Sequence, residues 1–240
     1  MGNAMARSTS GPVPLPASLA SAPPAQLATF GAGCYWGTEK WMRTLSASHP
    51  GAIADMRVGF MGGPEAQKNP SYEDVCTGAS GHVEVLQMRF DPAQLPYEAL
   101  VNHFFTFHDP TTANRQVRSV DARCEVASRA RLTQTAPPKG ADVGPQYASV
   151  IFTHTDEQAS VARARIGALQ ALLDAGSLRG GPGFAGKRVA TEVRPANTFY
   201  AATDKHQRYL EANPRGYCNH MKARRVAGPR LRCSSCAQGC

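Results

Sequence analysis

Cys34 stands where an apolar strand breaks on glycines and a helical pattern begins, in the run Thr29-Phe30-Gly31-Ala32-Gly33-Cys34-Tyr35-Trp36-Gly37-Thr38-Glu39. The thiolate, not the thiol, is the nucleophile, and the unpaired N–H groups and dipole of a helix start lower a cysteine pKa. Tyr35 and Trp36 beside it offer an apolar wall. The expectation is a nucleophilic sulfur facing a hydrophobic receptor. A second chemical signal lies in His82–Phe90, where alternation puts Glu84, Leu86, Met88 and Phe90 on one strand face. An acid on an apolar face is paired or neutral, because desolvation disfavours its charged form. A neutral carboxylic acid in such a pocket is a general acid. An ion-paired glutamate at a strand end is the blander alternative, and the pattern alone leaves both open.

Asn69-Pro70-Ser71-Tyr72 and Gly144-Pro145-Gln146-Tyr147 each place a phenol after turn residues, where it can donate to a substrate oxygen or simply pack. Asp142 is close to Tyr147 in sequence and can orient a polar group. His108 follows an aromatic helical run and reads equally as a cap or a catalyst. The tail from Pro214 is punctuated by glycine and proline and carries Cys218, Cys233, Cys236 and Cys240. A cysteine on a flexible segment suits resolution of an oxidised thiol, since a disulfide needs its Cα atoms about 4.4–6.8 Å apart. Zinc held by Cys218, His220, Cys233 and Cys236 competes with this, but the spacing is unfamiliar for a structural site and redox use is favoured. Cys76 reads as a small buried hydrophobe. Cys124 receives no role.

The elements that must position these groups alternate along the chain. Strands are predicted at Leu27–Phe30, Ala54–Phe60, His82–Phe90, Tyr147–Thr153 and Arg188–Val193. Helices are predicted at Trp36–Leu45, Tyr97–Phe107, Glu157–Ala175 and Lys205–Glu211. Strands and helices without a repeated βαβ rhythm indicate an α+β or two-layer α/β domain.

With 240 residues the chain can bury a full core. Seven cysteines, unevenly spread, are too few for a disulfide scaffold and favour catalytic or redox use. The net charge is +8, but it resides in two irregular segments. Residues 212–240 hold six Lys or Arg and no acid, residues 117–139 hold five against Asp121 and Glu125, and the remainder is near neutral. That argues against a folded nucleic-acid groove. No apolar run reaches membrane-spanning length, so a soluble protein without a membrane partner is expected. Residues 1–25 carry Arg7 as their only charge and lack a signal-peptide core. They read as a disordered leader, with a cytoplasmic location expected and a mitochondrial one as the alternative.

Together these segments resemble the A-type peptide methionine sulfoxide reductase family, from about Ala28 to Cys218. The resemblance rests on Gly33-Cys34-Tyr35-Trp36-Gly37, Gly59-Phe60-Met61-Gly62-Gly63, Asn69-Pro70-Ser71-Tyr72, Val75-Cys76-Thr77-Gly78-Ala79-Ser80-Gly81-His82-Val83-Glu84-Val85, His108-Asp109-Pro110-Thr111, Asp142-Val143-Gly144-Pro145-Gln146-Tyr147 and Gly216-Tyr217-Cys218. It implies an α+β fold, a two-layer α/β sandwich with a mixed sheet around a ferredoxin-like core and irregular terminal extensions. It implies a monomer that reduces the S epimer of methionine sulfoxide, free or in oxidised proteins, with no bound cofactor or metal and thioredoxin as external reductant. By resemblance Cys34 attacks the sulfoxide sulfur, Glu84 protonates its oxygen, and Tyr72 and Tyr147 hydrogen-bond that oxygen. Tyr35 and Trp36 receive the methyl group, Asp142 supports the polar side, and Cys218 resolves the sulfenic acid. Some relatives carry a second resolving cysteine, which Cys233 or Cys236 could supply.

Two departures stand out. Position 35 is Tyr where the family usually has Phe. Residues 117–139 interrupt the pattern, and their removal joins Asn114-Arg115-Gln116 to Gly140-Ala141-Asp142 without a seam. Val117 is encoded by GTN and Lys139 is compatible with AAG, so the segment reads as an intron retained in the coding sequence. Messages that all retain these codons would reject that reading. The domain itself is expected at 26–218, with 219–240 as a basic, cysteine-containing tail.

Overall fold

The computed structural model describes residues 25–116, 142–177, 187–218 and 220. β1 (Gln26–Ala32), α1 (Tyr35–Ser48), β2 (Ile53–Met61), α2 (Tyr72–Cys76), β3 (Val83–Phe90) and α3 (Tyr97–Phe104) come first. β4 (Arg115–Gln116), β5 (Asp142–Val143), β6 (Ser149–Thr153), α4 (Asp156–Asp174), β7 (Glu192–Pro195), β8 (Tyr200–Ala201) and α5 (Tyr209–Ala212) follow. The main sheet has the order β7-β6-β1-β3-β2-β8 and is antiparallel except for the β6–β7 pair. Its central β6-β1-β3-β2 block, with α1 and α3 as the intervening helices, is the βαββαβ arrangement of a ferredoxin-like core. The expected α+β architecture with a mixed sheet is therefore present.

The core follows from alternation. One face of β3 contributes Leu86, Met88 and Phe90 to a cluster with Phe30 of β1, Val58 of β2, Met42 of α1 and Leu100, Val101 and Phe104 of α3. The opposite face sends Val83 and Val85 into a smaller cluster with Met61, Val150 and Phe152. Glu84 lies on the larger cluster's side, at the end of that apolar row, as the period-two pattern requires.

Several predicted elements shift. The helix from Tyr97 stops at Phe104 rather than Phe107, and His108 caps it from outside. Its Nδ1–H donates to the Phe104 carbonyl at 2.9 Å, and Nε2 accepts from the Ser149 hydroxyl at 2.8 Å. Burial pushes His108 down to about 4, so it stays neutral and acts as a cap, not a proton carrier. Tyr147 belongs to a 3-10 turn, Pro145–Tyr147, because Gly144-Pro145 breaks extended backbone before β6. β7 lies at 192–195 instead of 188–193, where it can pair in parallel with β6, and its Pro195 is tolerated on an edge strand. The predicted helix at 205–211 is a 3-10 turn, Asp204–His206, followed by the single-turn α5.

Candidate active site

Cys34 is the residue at which α1 opens: its carbonyl accepts from Gly37 N–H at 3.2 Å and Thr38 N–H at 3.4 Å. The turn into it needs Gly33, whose φ is +85°, and a Cβ there would also run into the Gln116 side chain. On the far side of the helix start, Gly37 packs so closely on the His220 ring that a Cβ has no room. His220 Nε2–H in turn donates to the Ala32 carbonyl at 2.6 Å, which seats the chain just after Cys218 against the end of β1.

Glu84 reaches the same point from β3. Its Oε2 accepts from the Tyr35 backbone N–H at 3.0 Å, and its side chain is buried, with 1% of the residue exposed. Burial, with a smaller push from Asp142, raises this carboxyl to about 8 against the pull of the Tyr35 N–H. The acid is predominantly neutral at pH 7.

The sulfur differs from its expectation as a resting thiolate. The N–H groups of Trp36 and Gly37 do lower its pKa, but burial, then Glu84 and Asp142, raise it well above the ordinary thiol value. Desolvation outweighs the helix start here, and Cys34 rests as a thiol.

The three phenols surround this pair. Tyr72 begins α2, which opens on a Ser71–Asp74 capping box. Tyr147 enters from the 3-10 turn, and Tyr35 is the first residue of α1. All three are held well above the ordinary phenol value, first by burial, and each feels Glu84, so they remain hydrogen-bond donors. Asp142 is mostly buried on β5, paired with Gln116 of β4, and accepts from the Tyr217 hydroxyl at 3.1 Å. That contact ties the residue preceding Cys218 to the site. Trp36 is half-buried, with its ring stacked on Tyr209 at 3.9 Å. Cys34, Cys76 and Cys218 are free thiols, and Cys218 is half-buried. Cys233, Cys236, Cys124 and the whole of 117–139 lie outside the described residues.

Sequence reasoning missed several participants. Cys76 is half-buried in the site rather than a core hydrophobe: it hydrogen-bonds the Tyr72 hydroxyl and interacts electrostatically with Glu84. The four-residue spacing from Tyr72 on one short helix was the available signal. Gln146 is buried beside Tyr147 and donates to the Cys76 carbonyl at 3.1 Å, linking the two phenol-bearing turns. His206, packed against Tyr72, carried no sequence signal beyond its type.

A buried thiol, a largely neutral carboxylic acid and flanking phenols meet on a ferredoxin-like core, a set in which a sulfur nucleophile is surrounded by proton donors. The sequence model described as peptide methionine sulfoxide reductase matches residues 26–125 and 132–230. That match runs past Cys218, the end of the motif resemblance. The peptide methionine sulfoxide reductase MsrA of Methanothermobacter thermautotrophicus is 42% identical over 195 residues, covering 81% of this chain and 92% of its own. The MsrA of Salinispora arenicola is 40% identical over 197 residues, covering 81% and 72%. Among solved structures, reduced Mxr1 from Saccharomyces cerevisiae superposes with a TM-score of 0.61 at 30% identity, covering 83% of this chain and 93% of that one. Methionine sulfoxide reductase A of Corynebacterium diphtheriae gives 0.60 at 32% identity, covering 82% and 79%. The chain belongs to the peptide methionine sulfoxide reductase family, of the A type, and its activity is the reduction of methionine sulfoxide.

Proposed function

We propose that this chain reduces the S epimer of methionine sulfoxide, in oxidised proteins or free, through a Cys34 sulfenic acid and a Cys34–Cys218 disulfide that thioredoxin recycles, and so repairs oxidative damage. The observation that carries the reading is the neutral, buried Glu84 carboxyl hydrogen-bonded to the first peptide unit after Cys34. A sulfoxide oxygen is a poor leaving group until it is protonated, and Glu84 holds the proton where the sulfur of Cys34 attacks. Tyr72 and Tyr147 donate to that oxygen, while Asp142 supports the polar side. Trp36 with the Tyr35 ring receives the methyl group. A methyl wall, oxygen donors and a nucleophile at three fixed places distinguish the two hands of a sulfoxide, and the family resemblance assigns the S hand.

In balance, the Cys34 thiol and the sulfoxide give methionine and Cys34–SOH, with the oxygen passing to the cysteine. The Cys218 thiol then displaces water to form the disulfide, and a thioredoxin dithiol returns both cysteines to thiols. Glu84 passes its proton to the oxygen, and the thiol proton of Cys34 restores it. Cys233 or Cys236 supplies a second exchange before thioredoxin. No bound cofactor takes part, and the chain acts as a monomer. Among the described residues no helix is long and apolar enough to cross a membrane, and a cytoplasmic place is proposed.

The test is thioredoxin-coupled turnover of an S-sulfoxide peptide, with the R epimer and hydrogen peroxide as alternative oxidants. Cys34→Ser should abolish even one turnover. Cys218→Ser should release one equivalent of methionine per enzyme and then stall. Faster reaction with peroxide than with the S sulfoxide would reject the reading.

A further inference from the structure

Glu39 is a buried acid that the proposed chemistry does not use. It lies three residues after Trp36 on α1, so the two side chains share one side of the helix. Only 2% of it is exposed. Arg43, one turn further on, holds Oε1 through Nε at 3.1 Å and Nη2 at 2.9 Å. The other oxygen, Oε2, accepts from the backbone N–H of Arg208 at 2.9 Å, 169 residues away in sequence. Burial raises Glu39 above its ordinary value, against the pull of the Arg43 guanidinium and then the Arg208 N–H.

Arg208 is a residue that needs holding. Its φ of +53° and ψ of +30° lie in the left-handed region, where a Cβ crowds the backbone. Among the described residues the other non-glycine positions with positive φ are Asn69 and Asn114, and asparagine tolerates that region through its short polar side chain. An arginine has no such local bond, so its surroundings must impose the turn. Gln207 fixes the chain up to that point: it accepts from Val58 N–H and donates to the Val58 and Ala202 carbonyls, all at 2.9 Å. Glu39 fixes the next residue. The Arg208 side chain pairs with Glu211 at 2.6 Å, but both are exposed, and such a pair is worth little.

The turn delivers Tyr209, the first residue of α5, whose ring stacks on Trp36 at 3.9 Å with 18° between the planes. One turn of α1 thus carries both a ring of the proposed methyl wall and the acid that anchors the residue before that ring's partner. A relaxed Arg208 would carry Tyr209 away and leave Trp36 free to change its orientation.

We propose that Glu39 is a positioning residue: by holding Arg208 in its left-handed turn it keeps Tyr209 stacked on Trp36 and the methyl-receiving wall in place, a role that rests on the reading of Trp36 as part of that wall.

Single-turnover reduction of N-acetyl-methionine-S-sulfoxide N-methylamide by the full chain, without added reductant, gives a half-saturating concentration and a saturating rate that do not depend on recycling. Glu39→Gln keeps the shape of the side chain but has one acceptor oxygen, which faces Arg43 and leaves an NH₂ group against the Arg208 N–H. It should raise the half-saturating concentration about tenfold and change the saturating rate by less than about twofold. Adding Arg208→Gly, which adopts the turn without strain, should bring the half-saturating concentration back to within about threefold of the native value. Tyr209→Leu removes the stacked ring while leaving Glu39 and Arg208 intact, and should reproduce the rise even if Glu39→Gln fails to fold. An unchanged half-saturating concentration in Glu39→Gln or Tyr209→Leu would overturn the proposal. So would a rise that Arg208→Gly does not reverse, or an equal fall in the saturating rate, since either marks a general loosening of the fold. Trp36→Leu tests the reading beneath: a rise there beside none in Glu39→Gln overturns the proposal alone, and no rise there removes Trp36 from the wall and the proposal with it.

Discussion

Glu84 accepts a hydrogen bond from the backbone N–H of Tyr35 at 3.0 Å, so one peptide unit separates the buried carboxyl from the sulfur of Cys34. The two groups oppose each other electrostatically: an ionised Glu84 raises the Cys34 thiol, and a neutral one does not. Protonation of the acid therefore serves both partners. It arms the carboxyl to donate, and it removes a charge that would hinder ionisation of the sulfur.

This coupling fixes the pH dependence of the chemistry. In the proposed mechanism Glu84 acts in its protonated form, so kcat/KM for an S-sulfoxide peptide should fall as pH rises through about 8. Glu84→Gln keeps an acceptor for the Tyr35 N–H but has no proton to give. Its kcat/KM should be lower by about 10²–10⁴-fold, the usual worth of general acid catalysis, and the limb near pH 8 should vanish. Single-turnover methionine release across pH 5–10 measures both. An unchanged limb in the variant would assign it to another group.

The same shift governs stability with the opposite benefit. The folded-state value of Glu84 lies above its ordinary 4.5, so folding takes up a proton and the carboxyl's contribution is fully present below about 4.5. It is lost progressively as pH rises to about 8. Thermal unfolding should show Glu84→Gln gaining on the native chain across that window and exceeding it in Tm above pH 8. The acid is thus kept at a cost in stability, as expected of a functional group in a desolvated site.

How much of this was legible depended on whether the cause was local. The β3 alternation fixed the side of Glu84 because strand period and apolar pattern reside in the same eight residues. The Gly33-Cys34 junction with α1 was readable for the same reason. The protonation of Cys34 was not, since it comes first from burial by the assembled fold and then from Glu84 on β3 and Asp142 on β5, far away in sequence. α2 is five residues long and has no period to read, only its Ser71–Asp74 cap. His206 meets Tyr72 through tertiary packing alone, and β4 and β5 are two-residue strands that exist only because they pair.

The turn before the nucleophile should be intolerant of a side chain. At Gly33 a φ of +85° strains any other residue, and Gln116 occupies the Cβ position. Gly33→Ala should lose about 1–3 kcal/mol, read as a lower urea midpoint with unchanged slope. A variant as stable as the native chain would show that the turn relaxes.

The inward-facing His220 should control resolution rather than attack. Its ring, buried and lowered to about 3 chiefly by desolvation, packs on Gly37 and donates to the Ala32 carbonyl two residues after Cys218. Removing it frees the segment that carries Cys218, the proposed resolving thiol. His220→Ala should release one equivalent of methionine at the native rate but form the Cys34–Cys218 disulfide about tenfold more slowly, as expected when a reactive group loses its positioning. Rapid-quench thiol counting separates the two steps, and a parallel slowing of methionine release would place His220 in the attack itself.

The most consequential prediction concerns residues 117–139, within which the family model leaves 126–131 unmatched. β4 and β5 are antiparallel, with Arg115 opposite Val143 and Gln116 opposite Asp142. Joining Gln116 directly to Gly140 leaves Gly140-Ala141 between paired residues, and a two-residue hairpin loop with Gly first is the sequence of a type II′ turn. The ladder that carries Asp142 into the site then closes locally, and Gln116 keeps its place against Gly33. Exchanging a long loop for a two-residue one favours the folded state by about 2 kcal/mol from closure entropy alone. A chain lacking 117–139 should therefore unfold at a higher urea midpoint and reduce an S-sulfoxide peptide at least as efficiently as the full chain. Loss of cooperative unfolding or of sulfoxide turnover on deletion would instead make the segment part of the enzyme, and would end its reading as a retained intron.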